Sequence, residues 1–317
     1  MNKNYILIPL SIIVISTLIY FIITFSNYLK KIKLSLESYG NLGIANCATD
    51  NDTMCNELNN LDITYDFMST DSYSKDNIIY IIKLIANFLK YLNSDYNNNK
   101  LNINNSYNQK LITSNIDNKP IGISYIYEDK TKVFFIFRGT QTAADLIGDT
   151  NYNYYNIDNI NNPNEIKIHK FYNSVYQEIK QQLLNCLYNE TTDIYICGHS
   201  MGAAIGFVMA QDISQNKKYK VNVIGIAPPR AGNKPFVDSI KNNCNYVLAV
   251  INMADVIPTV PFSYMGNLID PYTPVQFAQI TPAVIFNNLN VSIGACHQPI
   301  TYYNGIKNGP LTYTYLA

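Results

Sequence analysis

The chain has 317 residues, and its 23 Lys and Arg balance 23 Asp and Glu, for zero formal net charge. That balance lacks the basic footprint of a nucleic-acid-binding domain, and the length suits one sizeable domain with its own core rather than two. Asparagine, isoleucine and tyrosine are used heavily while tryptophan is absent, so the sequons at Asn51, Asn104, Asn189 and Asn290 are what an Asn-rich chain yields by accident.

Tyr5 to Phe25 is an uncharged apolar run close to the ~20 residues that cross a bilayer as a helix. It exceeds the apolar core of a signal peptide and no small-x-small cleavage site follows, so residues 1–33 are expected to be a single-pass membrane anchor, or an uncleaved signal, and 34–317 the folded domain. Lys30, Lys31 and Lys33 outweigh Lys3, a small bias that puts the carboxyl side in the cytoplasm. From Leu34 to Ser74 no periodicity stands out; Cys47 and Cys55 are spaced for a local disulfide, whereas Cys186, Cys197 and Cys244 sit among apolar residues like buried thiols. No Cys-x-x-Cys pair suggests zinc, and no metal or cofactor is expected.

Ile78, Ile81, Ile82, Ile85, Phe88, Leu89 and Leu92 recur at helical spacing, which predicts an amphipathic helix. Ser94 to Asn108 is polar and reads as a surface loop. Ile121 to Phe137 reads as a hairpin turning at Glu128-Asp129-Lys130, and its second arm, Val133 to Phe137, is apolar enough to lie mid-sheet. Thr142-Ala143-Ala144-Asp145 has the spacing of a helix start, and Val175, Ile179, Leu183 and Leu184 mark a helix within 173–187.

Ile194-Tyr195-Ile196-Cys197 then runs straight into Gly198-His199-Ser200-Met201-Gly202 and a small-residue stretch, a pattern that predicts buried strand, sharp turn and helix, with Ser200 exposed at the turn. A side chain at Gly198 or Gly202 would collide with the neighbouring strand or helix. The helix start directs N–H groups toward an oxyanion forming beside the serine. A serine nucleophile on such an elbow needs a base, and the order in this architecture is Ser, then acid, then His. Of His169, His199 and His297, only His297 lies downstream of Ser200. Asp255 follows the apolar strand Tyr246 to Ile251 and so reaches the carboxyl edge, where open α/β sheets place their sites. Asp212 and Asp238 fall in helical patterns, and Asp270 is the second choice. The strand pieces Val284 to Phe286 and Leu289 to Val291 precede the His297 loop, as a histidine following the last strand requires.

These residues resemble the class 3, fungal-lipase-like group of α/β hydrolases. Gly198 to Gly202 is similar to the family's Gly-His-Ser-Leu-Gly, Phe137-Arg138-Gly139-Thr140 to its Phe-Arg-Gly-Thr/Ser, and Pro229-Arg230-Ala231-Gly232-Asn233 to its Pro-Arg-Val-Gly-Asn. Asn252 to Pro258 resembles Asn-x-x-Asp-x-Val-Pro, and His297 with Pro299 and Tyr302 resembles the terminal His block. The resemblance spans about Ile121 to Tyr303 and implies a mostly parallel central sheet flanked by helices, with Ser200, Asp255 and His297 as triad and Thr140 and Met201 as oxyanion donors. It implies a lid starting near Thr142; a fixed surface helix is the alternative. It sets His169, in Ile166 to Phe171, as a structural residue fixing a loop through its ring nitrogens. The implied substrates are carboxylic esters of lipids, acylglycerols first and phospholipid acyl esters next. A soluble-ester esterase and a catalytically silent lipid-binding module are the other readings.

Overall fold

The computed structural model describes residues 74–93, 107–115, 120–140, 154–156, 165–261, 264–266, 274–289 and 295–314. The segment 5–25, the Cys47 and Cys55 pair, the stretch from Thr142 to Gly148 expected to start a lid or a fixed surface helix, and Asp270 lie outside them. Among the described residues no helix is long and apolar enough to cross a membrane.

Among the described residues an eight-stranded sheet organises the molecule. β1 (Tyr107–Thr113), β2 (Pro120–Tyr127) and β3 (Lys132–Phe137) form an antiparallel meander. From β3 the sheet continues in parallel through β6 (Asp193–His199), β7 (Lys220–Ile226), β8 (Tyr246–Asn252) and β11 (Ala283–Phe286). β12 (Thr312–Thr314) closes the far edge antiparallel to β11. The central strands are near-continuous apolar runs because both faces of the sheet are covered. Small two-stranded ribbons, β4 (Tyr154–Asn156) with β5 (Lys167–His169) and β9 (Tyr264–Gly266) with β10 (Pro274–Gln276), lie outside it.

On one face α1 (Lys75–Asn93) packs over β3 and β6 and beside α5 (Pro299–Asn308), its Ile78, Ile81, Ile85 and Phe88 sharing one buried cluster with Phe134, Ile136 and Leu248. On the other lie α2 (Lys170–Leu184), α3 (Met201–Ile213) and α4 (Lys234–Asn243). α3 is buried nearly all round, and its small residues let it sit close on the sheet: a Cβ on Gly225 of β7 would lie 2.6 Å from Phe207. α4 starts at Asn233, whose Oδ1 accepts from Phe236 N at 3.1 Å, with Pro235 in the first turn.

Three expectations are corrected. The polar stretch expected to be loop through Asn108 enters strand β1 at Tyr107, an edge strand whose backbone pairs with β2 although little of it is apolar. β11 is not the last strand: β12 follows α5, so His297 lies on a crossover between two paired strands. Leu289, expected to begin a strand piece, is irregular and exposed.

Candidate active site

β6 delivers the chain to Ser200 at the carboxyl edge. There the backbone takes φ 56° and ψ −127°, which L-residues rarely adopt, and α3 begins at the next residue. Ser200 N donates to Ile226 O of the neighbouring strand at 2.9 Å, and Ser200 O accepts from Ala203 N and Ala204 N, so both sides of the turn are held. The two glycines are required by crowding. A Cβ on Gly198 would fall on the backbone of Gly202 and 2.6 Å from Ala203 N, and one on Gly202 would meet Arg138 O and, at 2.6 Å, Phe137 O.

The second wall is the end of β3. Arg138 is fully buried; its Nε donates to Pro120 O at 2.8 Å and its Nη1 to Gly139 O at 3.0 Å. These bonds fix the chain leading into Thr140, and a Cβ on Gly139 would lie 3.1 Å from Ser200 Cβ. Met201 occupies the first position of α3, whose opening N–H groups have no partner inside the helix.

The third wall holds Asp255 and His297. Asp255 is 2% exposed; its Oδ1 accepts from Ile257 N at 3.0 Å, and its Oδ2 lies 2.7 Å from His297 Nδ1. The carboxylate acceptor assigns the hydrogen to Nδ1 and leaves Nε2 basic. Tyr302 Oη donates to the same Oδ2 at 2.7 Å and accepts from Asn252 N at 3.1 Å. Burial first, and then the Asp255 charge, push the Tyr302 phenol well above its ordinary value, so it stays a donor. Asn252 ties three chain segments together: its Nδ2 donates to Asn288 O at 2.9 Å and to Cys296 O at 3.1 Å, and its Oδ1 accepts from Asn288 N at 2.9 Å and Ala254 N at 3.2 Å. The loop after Asp255 is clamped by Arg230, whose Nη1 donates to Thr259 O and, at 2.8 Å, to Pro261 O.

The structure thus joins His297 to Asp255 directly, while Ser200 Oγ makes no hydrogen bond to His297. The elbow meets the histidine through His199, whose Nε2 lies 2.8 Å from His297 O. Tyr302, Asn252 and His199 are the site residues to which sequence reasoning gave no role; Tyr302 and Asn252 stood within quoted motif blocks, but only the tertiary contacts reveal what they hold.

His169 corrects a further expectation. Its ring nitrogens bond nothing, and the ring stacks on Tyr172 with centroids 4.3 Å apart; the loop is held by His169 N donating to Ala231 O at 2.8 Å. Burial lowers its pKa to about 3, which keeps it neutral. Cys197, behind the elbow, is buried and its thiol pushed up by desolvation, an inert environment for a nucleophile. Among the described residues no group of three or more His, Cys, Asp or Glu is arranged to hold a metal ion.

The family model "Lipase (class 3)" matches residues 134–265, which takes in the end of β3, the elbow and Asp255. A phospholipase A(1) of Arabidopsis thaliana, DAD1, is 36% identical over 102 residues, 32% of this chain and 23% of that protein. Lipase ZK262.3 of Caenorhabditis elegans is 23% identical over 155 residues, 46% of this chain and 42% of that protein. The matches span less than half the length of these relatives. A fungal lipase solved as an inhibitor complex superimposes with a TM-score of 0.52 at 16% identity, over 68% of this chain and 81% of that one, which shows a shared fold.

Proposed function

We propose that the chain is a class 3 lipase, a serine hydrolase of lipid carboxylic esters working through Ser200, His297 and Asp255, a reading supported by the family model over residues 134–265. The observation that carries this reading is the buried 2.7 Å pair of His297 Nδ1 and Asp255 Oδ2 at the same sheet edge as the strained Ser200 turn. With Nδ1 protonated, Nε2 takes the Ser200 proton as Oγ attacks the ester carbonyl, and the Asp255 charge supports the imidazolium that forms. The backbone N–H groups of Thr140 and Met201 receive the oxyanion; each such donor contributes about 3 kcal/mol to the transition state. His297 returns the proton to the leaving alcohol, and water then releases the acyl group by the same steps. Every reacting group is a side chain or main-chain amide, so the scheme draws on no metal or cofactor.

Acylglycerols are the substrates proposed first. Acyl esters of phospholipids are the second reading, favoured by the 36% identity to a protein named as a phospholipase A(1). The test is product analysis of the full chain on triacylglycerol emulsion and on phosphatidylcholine vesicles, with Ser200→Ala as control. Diacylglycerol plus fatty acid from the emulsion alone supports the first reading, and lysophosphatidylcholine lacking the sn-1 chain supports the second. Cleavage of soluble esters alone contradicts both and leaves an esterase. Membrane attachment through residues 5–25, with the domain on the cytoplasmic side, belongs to the same proposal; extraction of the full chain by detergent but not by alkaline carbonate tests it.

A further inference from the structure

His199 is buried beside the site, and its contacts determine its chemistry. His297 O is a carbonyl and only accepts, so the 2.8 Å contact makes His199 Nε2 the donor. The hydrogen is then on Nε2, and Nδ1 is bare. That bare edge faces the end of β3, where a Cβ on Gly139 would lie 2.8 Å from Nδ1. The ring also lies against the His297 ring, centroids 4.7 Å apart and planes tilted by 38°. His199 is therefore wedged between the chain leading to Thr140 and the main chain of His297, and it is the residue before Ser200.

We propose that His199 is the positioning residue of His297: its Nε2–H fixes the main-chain carbonyl of the base to the backbone carrying the nucleophile, so that Ser200 and His297 move as one body. Asp255 holds the side chain of His297 and His199 holds its main chain, and two such anchors define where Nε2 of His297 points. The histidine belongs to a single 3-10 turn, Ala295–His297, a short element that gives its own backbone little support. The proposal also explains why the ring is neutral. A charged His199 would repel the His297 imidazolium formed during attack, and burial, with the His297 charge second, lowers its pKa to about 3. This inference rests on the hydrolase reading only for its kinetic arm.

The test compares His199→Gln, whose amide nitrogen reaches as far as the imidazole Nε2, with His199→Phe, which keeps a flat ring and removes the donor. In the full chain, the Gln variant is expected to keep kcat within about threefold of wild type and the Phe variant to lose about ten- to a hundredfold, with KM for a soluble ester unchanged. The second readout needs no turnover: the downfield proton resonance of the His297 to Asp255 bond, identified by its loss in Asp255→Asn, stays sharp in wild type and Gln and broadens in Phe. Should the Phe variant fail to fold, His199→Asn, whose amide stops short of the carbonyl, takes its place. A Phe variant with wild-type kcat and a sharp resonance overturns the proposal, as does a Gln variant that falls as far as Phe. A wild type silent on every ester, with the resonance still discriminating the variants, removes the hydrolase reading and leaves the positioning role standing.

Discussion

Tyr302 donates its phenolic hydrogen to Asp255 Oδ2 at 2.7 Å, the same carboxylate oxygen that lies 2.7 Å from His297 Nδ1. One oxygen therefore takes two hydrogens, and Asp255 cannot swing without breaking both bonds. Tyr302→Phe keeps the packing and removes one donor. It is expected to lower stability by about 1 to 2 kcal/mol, since Asn252 N also loses its acceptor, and to lower kcat by on the order of tenfold. Denaturant midpoints and steady-state kinetics check the two parts separately; an unchanged kcat would make the Tyr302 contact structural only.

The Ser200 backbone, at φ 56°, stores strain at the sheet edge, and the residue is 6% exposed rather than open to solvent as the turn pattern predicts. Ser200→Gly, which adopts that conformation freely, is expected to raise unfolding stability by about 1 kcal/mol while abolishing ester hydrolysis. Ser200→Ala is expected to abolish activity without the gain, because it keeps the Cβ. Thermal unfolding of the three proteins distinguishes strain from a general tolerance of small residues.

His169 is buried, neutral and unbonded at both nitrogens, with a pKa lowered from 6.5 to about 3. A histidine whose folded pKa is depressed binds its proton more readily when unfolded, so the stability it contributes is complete above its unfolded pKa and is lost as pH falls toward the folded value. His169→Phe is expected to match or exceed wild-type stability at neutral pH and to flatten the decline between pH 6.5 and about 4, by roughly 1.4 kcal/mol per pH unit at most. Urea midpoints measured across that range check it; an unaltered slope would mean that the imidazole is protonated in the fold.

The Ser200 turn and the place of Asp255 after β8 were legible because their signals are local. Gly198 and Gly202 flank Ser200 at fixed spacing, and Asp255 follows an apolar run that can only be a buried strand. β1 was not legible: Asn108, Lys110 and Leu111 are solvent-exposed, Ile112 is the one buried apolar residue from Asn108 to Thr113, and the strand exists because β2 offers it an edge. β12 is three residues long and owes its pairing to β11. The roles of His199 and Tyr302 depend on contacts 98 and 47 residues away in sequence, which no local period encodes. His169 was misread for a related reason. A histidine with neighbours in sequence suggests hydrogen bonding, whereas this one is held by ring stacking and by its main chain.

The central claim is that Ser200 is a nucleophile activated by His297, and reaction with an organophosphate ester tests it most directly. Mass spectrometry of the full chain after exposure to diethyl p-nitrophenyl phosphate is expected to find one diethylphosphoryl group, on the peptide bearing Ser200. It should form in step with loss of ester hydrolysis and form far more slowly in His297→Ala. A folded wild-type protein that stays unlabelled, or that is labelled at another residue while Ser200 is unmodified, would contradict the account.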